Sequence, residues 1–454
     1  MAESAKNLER RLGLFPVTNI VIANMIGAGI FTTSGLLMGD LKNPIIMIAL
    51  WFVGGIIALC GALSYGELGA AMPHAGGEYT FLSKLYNPLL GFMSGWVSFI
   101  VGFSAPIAAS ALGFSEYFTR AFPQLLAFAE MSAFLSPAII KNLLAIFVIL
   151  VFSLVHMRGL EFGARVQNAL TLLKVALVLG LIFLGFALGN GNVQHFQQGQ
   201  DYSWNFSGWK TLGLSLMWIM FGYSGWNASV YIGSEIKNPL KNLPRSLFLG
   251  TGIVTLLYVA VNVLFVYAVP PAEMQGVISI GGLAMGELFG GSMEFVFSIL
   301  IAFALFSSLS AFIILGPRVY YAMAKDGYFF SFVADVHPKY NVPTKAILLQ
   351  AAIAAIMVIS GTFDQILTYL GFSLGIFPIF AVIGVFKLRQ NKSSLKRFGY
   401  PFAQIIYIVT GVMILLLAYF ERPIESSIAV LTALLGIPVF YFFKKTKTKP
   451  GVES

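Results

Sequence analysis

The chain has 454 residues, of which 58% are hydrophobic and only 10% are charged, and its mean hydropathy is +0.83. Soluble globular proteins carry roughly 25% charged residues and about 45–50% apolar ones. The composition therefore excludes a soluble multidomain enzyme, a disordered chain and a disulfide scaffold, and it indicates an all-α polytopic membrane protein. The net charge of +9 is compatible with a nucleic-acid partner, but the distribution of the charges argues against one.

Twelve apolar segments are long enough to cross a bilayer, which requires about 20 predominantly apolar residues. We number these segments spans 1 to 12, and they cover residues 15–38, 44–72, 89–118, 137–157, 166–189, 211–234, 246–269, 295–322, 345–361, 363–386, 401–419 and 424–443. The runs are too long and too continuously apolar for the strands of a membrane β-barrel. The connections are too short for a folded soluble domain, so we expect a single membrane domain over residues 1–454.

Lys and Arg residues are distributed unequally between the two sides of these spans. With twelve spans both termini lie on one side, which receives 22 of the 28 Lys and Arg residues, whereas the other side receives five. Cytoplasmic loops of membrane proteins are enriched in Lys and Arg. We therefore expect a multi-pass protein of the cell membrane with both termini in the cytoplasm and no nucleic-acid partner. The polar N-terminal segment predicts no signal peptide.

Spans 1 and 6 each contain two glycines at their centre. Span 1 reads NMIGAGIF over residues 24–31, and span 6 reads FGYSGWNAS over residues 221–229. Such small residues can serve close packing of helices, but the bulky Tyr223 and Trp226 argue against that use in span 6. Glycine also allows a helix to break, and a break at membrane depth is tolerated only where it is buried in protein or lines a cavity. Two breaks at corresponding positions of two five-span halves indicate a transporter with inverted repeats.

The two breaks predict a pair of complementary half-sites. Free N–H groups where the second half of span 1 begins, at residues 27–29, would bind a carboxylate. Free carbonyls where the first half of span 6 ends, at residues 221–223, would accept hydrogen bonds from an ammonium group. An α-amino acid carries both groups, so we predict an amino acid substrate. Phe221 would close over it, and Tyr223 and Trp226 would shape the side-chain pocket.

Segments along nearly the whole chain resemble a prokaryotic member of the L-amino acid transporter family, within the amino acid–polyamine–organocation superfamily. Besides the two breaks, these are SYGELG at 64–69, GGEY at 76–79, RVQN at 165–168 followed by Lys174, EIKNP at 235–239, LPR at 243–245 and GIPV at 436–439. The resemblance implies a LeuT-like fold of 12 transmembrane helices with discontinuous helices 1 and 6. The two inverted repeats would be residues 15–189 and 211–386, and residues 401–443 would form two additional helices.

The resemblance also implies sodium-independent exchange of neutral L-amino acids by alternating access. The substrate-binding residues that the resemblance implies are Ile26, Gly27, Ala28, Gly29, Phe221, Gly222, Ser224, Trp226 and Asn227. Tyr223, which we expect to shape the pocket, joins this set. Ser224 stands where transporters of large amino acids in this family tend to have glycine. A side chain there narrows the pocket, so we expect small substrates such as alanine, serine or threonine.

Animal members of the family pair with a glycoprotein heavy chain through a cysteine between spans 3 and 4. Residues 119–136 contain no cysteine, and Cys60 is the only one in the chain. We therefore expect no disulfide-linked heavy chain, and a protein that acts alone as a monomer in the lipid bilayer.

Two ionisable residues, Lys174 and Glu67, are expected to be buried within predicted spans. Lys174 in span 5 either reaches the membrane surface or finds partners inside the bundle. In the family, a lysine on span 5 resembles a fixed replacement for the sodium ion that bridges spans 1 and 8 in sodium-coupled relatives. Its partners would be carbonyls around residues 24–26 and the hydroxyls of Ser307, Ser308 and Ser310. Glu67 either hydrogen-bonds nearby backbone or carries protons.

Glu235 follows span 6 and is either part of an inner gate or a loop charge. No enzymatic, metal-binding or nucleotide-binding pattern is present, so we expect no enzyme, no cofactor and no metal. Two alternatives to exchange remain from the sequence. One is proton-coupled symport, in which Lys174 or Glu67 exchanges the proton, and the other is a non-transporting amino acid sensor that keeps the binding site.

Overall fold

The computed structural model describes residues 10, 12–73, 76–130, 136–158, 160–337, 339–340, 342–391 and 399–447, and most of these residues are in helices. Its longer α-helices are Leu14–Met25, Ala28–Leu41, Pro44–Ala71, Pro88–Val97, Ser104–Ala121, Pro137–Met157, Leu160–Leu188, Phe206–Gly222, Pro239–Ala268, Gly291–Lys325, Thr344–Ser360, Phe363–Asn391, Phe402–Glu421 and Pro423–Lys447. Shorter α-helices are Gly77–Leu85, Gln124–Glu130, Pro271–Met274 and Ile280–Phe289. A π-helix, Ser98–Gly102, continues Pro88–Val97, and 3₁₀-helices are Val193–Gln197, Ala228–Glu235 and Ser331–Ala334.

Ten helical segments of the described chain are long and apolar enough to cross a membrane, and they coincide with ten of the twelve predicted spans. The two others are span 6, which is broken, and span 9, whose helix Thr344–Ser360 has 17 residues. Seventeen residues lie at the lower end of the length that can cross a bilayer. The multi-pass membrane class is therefore confirmed.

Burial separates central helices from peripheral ones. In Pro88–Ala121, which contains span 3, 89% of the residues in an apolar stretch of 18 are buried inside the protein. In spans 4 and 11 the corresponding share is 28%. The outer helices present large apolar side chains such as Phe147, Leu256 and Phe442 on the exterior. An apolar exterior is stable only against lipid, because water would favour its burial.

Several helices begin at a polar residue followed by proline. Asn43 precedes Pro44, and its side-chain oxygen accepts the Ile46 N–H at 3.0 Å. Asn87 and Ser136 cap the helices of spans 3 and 4 in the same way, each before a proline. The cap satisfies one N–H group that has no partner in the helix, and proline lacks an N–H that would need one.

One backbone bridge joins the beginning of span 1 to the end of span 6. Leu12 and Ile236 form an isolated parallel bridge, and the Lys237 N–H donates to the Leu12 carbonyl at 2.8 Å. The two interrupted helices are therefore attached to each other near one end of the bundle.

Candidate substrate site between two interrupted helices

Span 1 is interrupted at Ile26 and Gly27. The first helix ends at Met25, Ile26 has φ −67° and ψ 102°, and Gly27 has φ −146° and ψ −157°, so both residues are extended. The second helix begins at Ala28, and its N-cap residue, Gly27, has no side chain with which to cap it. The Gly27 N–H at the break donates to the Tyr258 hydroxyl, and the N–H groups of the first turn of this helix have no acceptor within the helix itself. The predicted break in span 1 is confirmed.

Span 6 is interrupted directly after Gly222. Its first helix ends there, residues 223–227 form turns, and the 3₁₀-helix Ala228–Glu235 follows. Gly225 has φ +99°, a conformation that L side chains rarely adopt, and a Cβ on it would lie 2.8 Å from the Asn24 carbonyl. The predicted break in span 6 is confirmed as well.

The sequence predicts free carbonyls at the end of the first half of span 6, but in the structure each of them accepts a hydrogen bond. The Phe221 carbonyl accepts the Ser224 N–H at 2.9 Å, and the Tyr223 carbonyl accepts the Trp226 N–H at 3.3 Å. The Gly222 carbonyl accepts the Tyr258 hydroxyl at 3.0 Å. The turns that follow the helix supply the donors for Phe221 and Tyr223, and span 7 supplies the donor for Gly222. Each oxygen has a second lone pair, so it can still accept one hydrogen bond from a ligand.

The two breaks touch each other. A Cβ on Gly29 would lie 2.3 Å from the Gly222 Cα, so only glycine allows this approach of the two backbones. Tyr258 of span 7 lies behind the contact, and its hydroxyl reaches both the Met25 and the Gly222 carbonyls. A hydroxyl has a single hydrogen to donate, so these two carbonyls share it. Sequence reasoning missed Tyr258, because nothing in its neighbourhood distinguishes it from the other tyrosines.

A cavity of about 150 Å³ lies beside the two breaks. It is mostly apolar and includes residues of spans 1, 2, 3, 6, 8, 10 and 11. The predicted site residues that line it are Phe221, Ser224, Trp226 and Asn227, together with Asn24 from the first half of span 1. Trp226 is held edge-on against Tyr65 of span 2, with ring centroids 4.7 Å apart.

The remaining predicted substrate residues are not among those that line the cavity. These are Ile26, Gly27, Ala28, Gly29, Gly222 and Tyr223. Tyr223 is fully buried, and its hydroxyl donates to the Trp51 carbonyl of span 2 at 2.8 Å. It therefore fixes the break to span 2 and does not shape the pocket. The glycine positions can contribute main-chain groups only.

Lys174 is buried inside the bundle, with 1% of its surface exposed, so it does not reach the membrane surface. Its ammonium group donates to the Ala23 carbonyl at 2.6 Å, one residue before the predicted segment. Of the predicted hydroxyls, Ser307 contacts Thr171 at 3.3 Å, and Ser310 contacts His156 at 2.8 Å. Lys174 therefore joins span 5 to the end of the first half of span 1.

Ser308 lies at the break in span 1. Its buried hydroxyl lies 2.8 Å from the position that a Cβ on Gly27 would take, and it has no hydrogen-bond partner within the described chain. A buried hydroxyl without a partner is unusual in native proteins and calls for an explanation. Its place beside the opened backbone makes it available to a bound ligand or water.

Glu67 forms a bidentate ion pair with Arg389 of span 10. The Arg389 Nε and Nη2 atoms donate to the two Glu67 carboxylate oxygens at 2.6 and 2.9 Å, and the Glu67 side chain is 1% exposed. The Arg389 guanidinium also lies 3.8 Å from the Tyr400 ring centroid. This pair joins span 2 to span 10 away from the cavity. The side chain of Glu235 lies outside the described part of the structure.

Two prolines and one glutamate line the cavity without having been predicted to do so. Pro106 follows the π-helix in span 3, and Pro378 lies within span 10. Because proline has no N–H, the carbonyls of Gly102 and Leu374, four residues earlier, lack their usual donor at the cavity wall. Glu78 enters from the helix Gly77–Leu85, which connects spans 2 and 3. Its GGEY motif is visible in the sequence, but the contact of this connection with span 6 is not.

A polytopic helical protein whose two interrupted helices meet beside a buried cavity has the architecture of a membrane transporter. Comparison with known proteins gives the family: the family model described as amino acid permease matches residues 12–441. The chain therefore belongs to the amino acid permease family.

Three relatives illustrate this membership. The chain is 28% identical over 450 residues to the serine/threonine exchanger SteT of Bacillus subtilis (strain 168), covering 97% of this chain and 98% of that protein. It is 27% identical over 456 residues to the human large neutral amino acids transporter small subunit 2, covering 98% and 82%. It is 24% identical over 457 residues to the mouse Asc-type amino acid transporter 1, covering 98% and 83%.

Proposed function

We propose that the protein is a secondary transporter that exchanges neutral L-amino acids across the membrane by alternating access, independently of sodium. One observation carries the proposal: the cavity is lined by Asn24, just before the break in span 1, and by Phe221 and Ser224 at the break in span 6. A break at each of two helices offers main-chain N–H groups to a carboxylate and carbonyl lone pairs to an ammonium group. The names of the relatives support an amino acid as the substrate.

In this proposal the two ends of the substrate occupy different breaks. The N–H groups of residues 27–29 bind the carboxylate, and the carbonyls of residues 221–223 bind the ammonium group through their second lone pairs. Phe221 covers the substrate, and Ser224, Trp226 and Asn227 surround its side chain. The contact of Gly29 with Gly222 brings the two half-sites close enough for one zwitterion.

We propose small neutral substrates, such as alanine, serine and threonine. Ser224 lines the cavity and occupies volume that a glycine would leave open. The similarity to a bacterial protein named for serine and threonine exchange supports this preference. Another relative is named for large neutral amino acids, which makes the side chain at this position a useful test of size selection.

We propose that Lys174 takes the place of a coupling ion. A fixed ammonium group that donates to the Ala23 carbonyl supplies the positive charge that a sodium ion would supply at the break in span 1. The charge is permanently attached to span 5, so no ion gradient is needed to hold the first half of span 1.

The topology that we propose has twelve spans in two inverted repeats followed by two further helices, with both termini in the cytoplasm. The distribution of Lys and Arg supports this orientation. On the opposite side, carboxylates neutralise most of the few basic residues; the pairs are Arg120 with Glu294, Lys141 with Glu116, Lys210 with Glu421, and Arg422 with Asp364. The absence of cysteine from residues 119–136 supports a chain that acts without a disulfide-linked partner.

Purified protein in liposomes tests this function. For exchange, uptake of labelled alanine requires unlabelled amino acid inside the vesicles. Uptake into empty vesicles driven by an acid-outside gradient would instead show proton symport. Binding of alanine without any flux would show a sensor.

A further inference from the structure

Glu78 places a carboxyl group in the wall of the cavity. The proposed exchange mechanism assigns no role to this group. It lies in the first turn of the connecting helix, Gly77–Leu85, and it lines the cavity beside Asn227. The Asn227 amide nitrogen, Nδ2, donates to Glu78 Oε1 at 3.2 Å. Glu78 therefore contacts the second half of span 6 at the point where this helix resumes.

The sequence before Glu78 explains how the connecting helix reaches span 6. Gly76 has φ +111° and Gly77 has φ +52°. A Cβ on Gly77 would lie 2.3 Å from the Tyr231 ring, so a larger residue would push the helix away. On its other side, the Tyr79 hydroxyl donates to Asp326 at 2.5 Å, just after span 8. The connecting helix is thus fixed between spans 6 and 8, with Glu78 directed at Asn227.

An ionised carboxylate accepts hydrogen bonds and donates none. Beside it, the Asn227 amide must present Nδ2, and its carbonyl oxygen Oδ1 must point elsewhere. A protonated carboxyl can also donate, so it allows the amide to turn over. An ionised Glu78 thereby favours the amide orientation in which Nδ2 faces the carboxylate, and a neutral Glu78 does not.

We propose that Glu78 is a positioning residue for substrate recognition: its carboxylate fixes the Asn227 amide so that Oδ1 faces the cavity as an acceptor for the ammonium or hydroxyl group of the substrate. This inference rests on the proposed function and goes beyond it, because it adds a residue outside the spans and makes affinity depend on a proton. Glu78 acts through Asn227 and does not itself contact the substrate.

The surroundings of Glu78 place this dependence near neutral pH. Burial raises the pKa of the Glu78 carboxyl to about 7, and the nearby Tyr65 hydroxyl and Asn227 amide act in the opposite direction. Titratable groups that face it within the described chain are three tyrosine hydroxyls, Tyr65 of span 2, Tyr231 of span 6 and Tyr407 of span 11. The carboxylate is therefore ionised above a pH of about 7 and neutral below it, and the fixed amide is lost as the pH falls.

Alanine exchange in proteoliposomes, measured from about pH 5.5 to about pH 8.5 with equal pH on both sides, tests the proposal. For the wild type we expect KM to rise about three- to tenfold as the pH falls through about 7, with a smaller change in maximal rate. Glu78→Gln should remove the pH dependence of KM, because its neutral amide can face Asn227 through either atom. Glu78→Ala should raise KM about tenfold at the upper pH values. Glu273→Gln, the same change at an exposed glutamate, is the control and should retain the wild-type profile.

A double-mutant cycle shows whether Glu78 acts through Asn227. In an Asn227→Ala background, Glu78→Ala should add less than about twofold to KM. A wild-type pH profile in Glu78→Gln, or additive effects in the cycle, would overturn the inference. If Glu78→Ala does not fold, the profile of Glu78→Gln decides. Failure of the wild type to exchange alanine at any pH would refute the proposed function, whereas wild-type exchange with a pH-independent KM would refute this inference alone.

Discussion

Replacement of Lys174 tests how the first half of span 1 is held. The Lys174 ammonium group lies 2.6 Å from the Ala23 carbonyl, and 1% of the side chain is exposed. Lys174→Ala leaves this buried carbonyl without its donor, which costs about 1–3 kcal/mol. If this energy holds the transport-competent arrangement, its loss changes the population ratio by about 5- to 150-fold. We therefore expect a matching loss of exchange.

Alanine exchange per molecule of reconstituted protein is the measurement, with expression and size-exclusion profile checked for each variant. Lys174→Met keeps the length of the side chain but has no donor, so we expect it to resemble Lys174→Ala. Lys174→Arg keeps the charge in a larger, planar group and should fall between these variants and the wild type. Wild-type uptake in Lys174→Ala, at equal protein in the vesicles, would refute the reasoning.

The remaining predictions concern ions, substrate size and stability. Replacement of sodium by choline should leave wild-type exchange unchanged within about twofold, because in the proposed mechanism the Lys174 side chain takes the place of a coupling ion; a strict sodium requirement would contradict this. Ser224→Gly should increase leucine and phenylalanine uptake relative to alanine by about tenfold, since it opens the pocket by one side chain; competition by leucine as strong as by alanine in the wild type would contradict the size argument. Glu67→Ala leaves the Arg389 guanidinium without its carboxylate and should destabilise the protein by about 3 kcal/mol; the Tm in detergent measures this, and an unchanged Tm would contradict it.

The positions of the spans and of both breaks could be predicted because each depends on local sequence. A long apolar run specifies a membrane helix, and in spans 1 and 6 paired glycines beside polar or small residues mark where the helix opens. The prediction of a buried, internally paired Lys174 was one of two open alternatives, and the structure resolves it. The predicted acceptors were the carbonyls of residues 24–26, whereas the observed acceptor is the Ala23 carbonyl. Neighbouring carbonyls differ in direction by about 100° around a helix, so the sequence alone does not fix which one faces Lys174.

The parts of the site that could not be predicted depend on contacts between distant segments. Tyr223 and Trp226 lie three residues apart in an irregular segment, and only the fold determines that Trp226 lines the cavity while Tyr223 does not. Glu78 belongs to a connection that appears polar and external in the sequence. The pairing of Glu67 with Arg389 joins residues more than 300 positions apart. No local pattern contains this information.

The backbone bridge between Leu12 and Ile236 means that the two broken helices cannot swing apart independently at that end. Any movement that exposes the cavity at that end must either move both segments of the bridge together as one body or first break the hydrogen bond between them. A tag or fusion attached before Leu12 would therefore be joined directly to the segment that has to move. The C-terminus is the better place for a reporter.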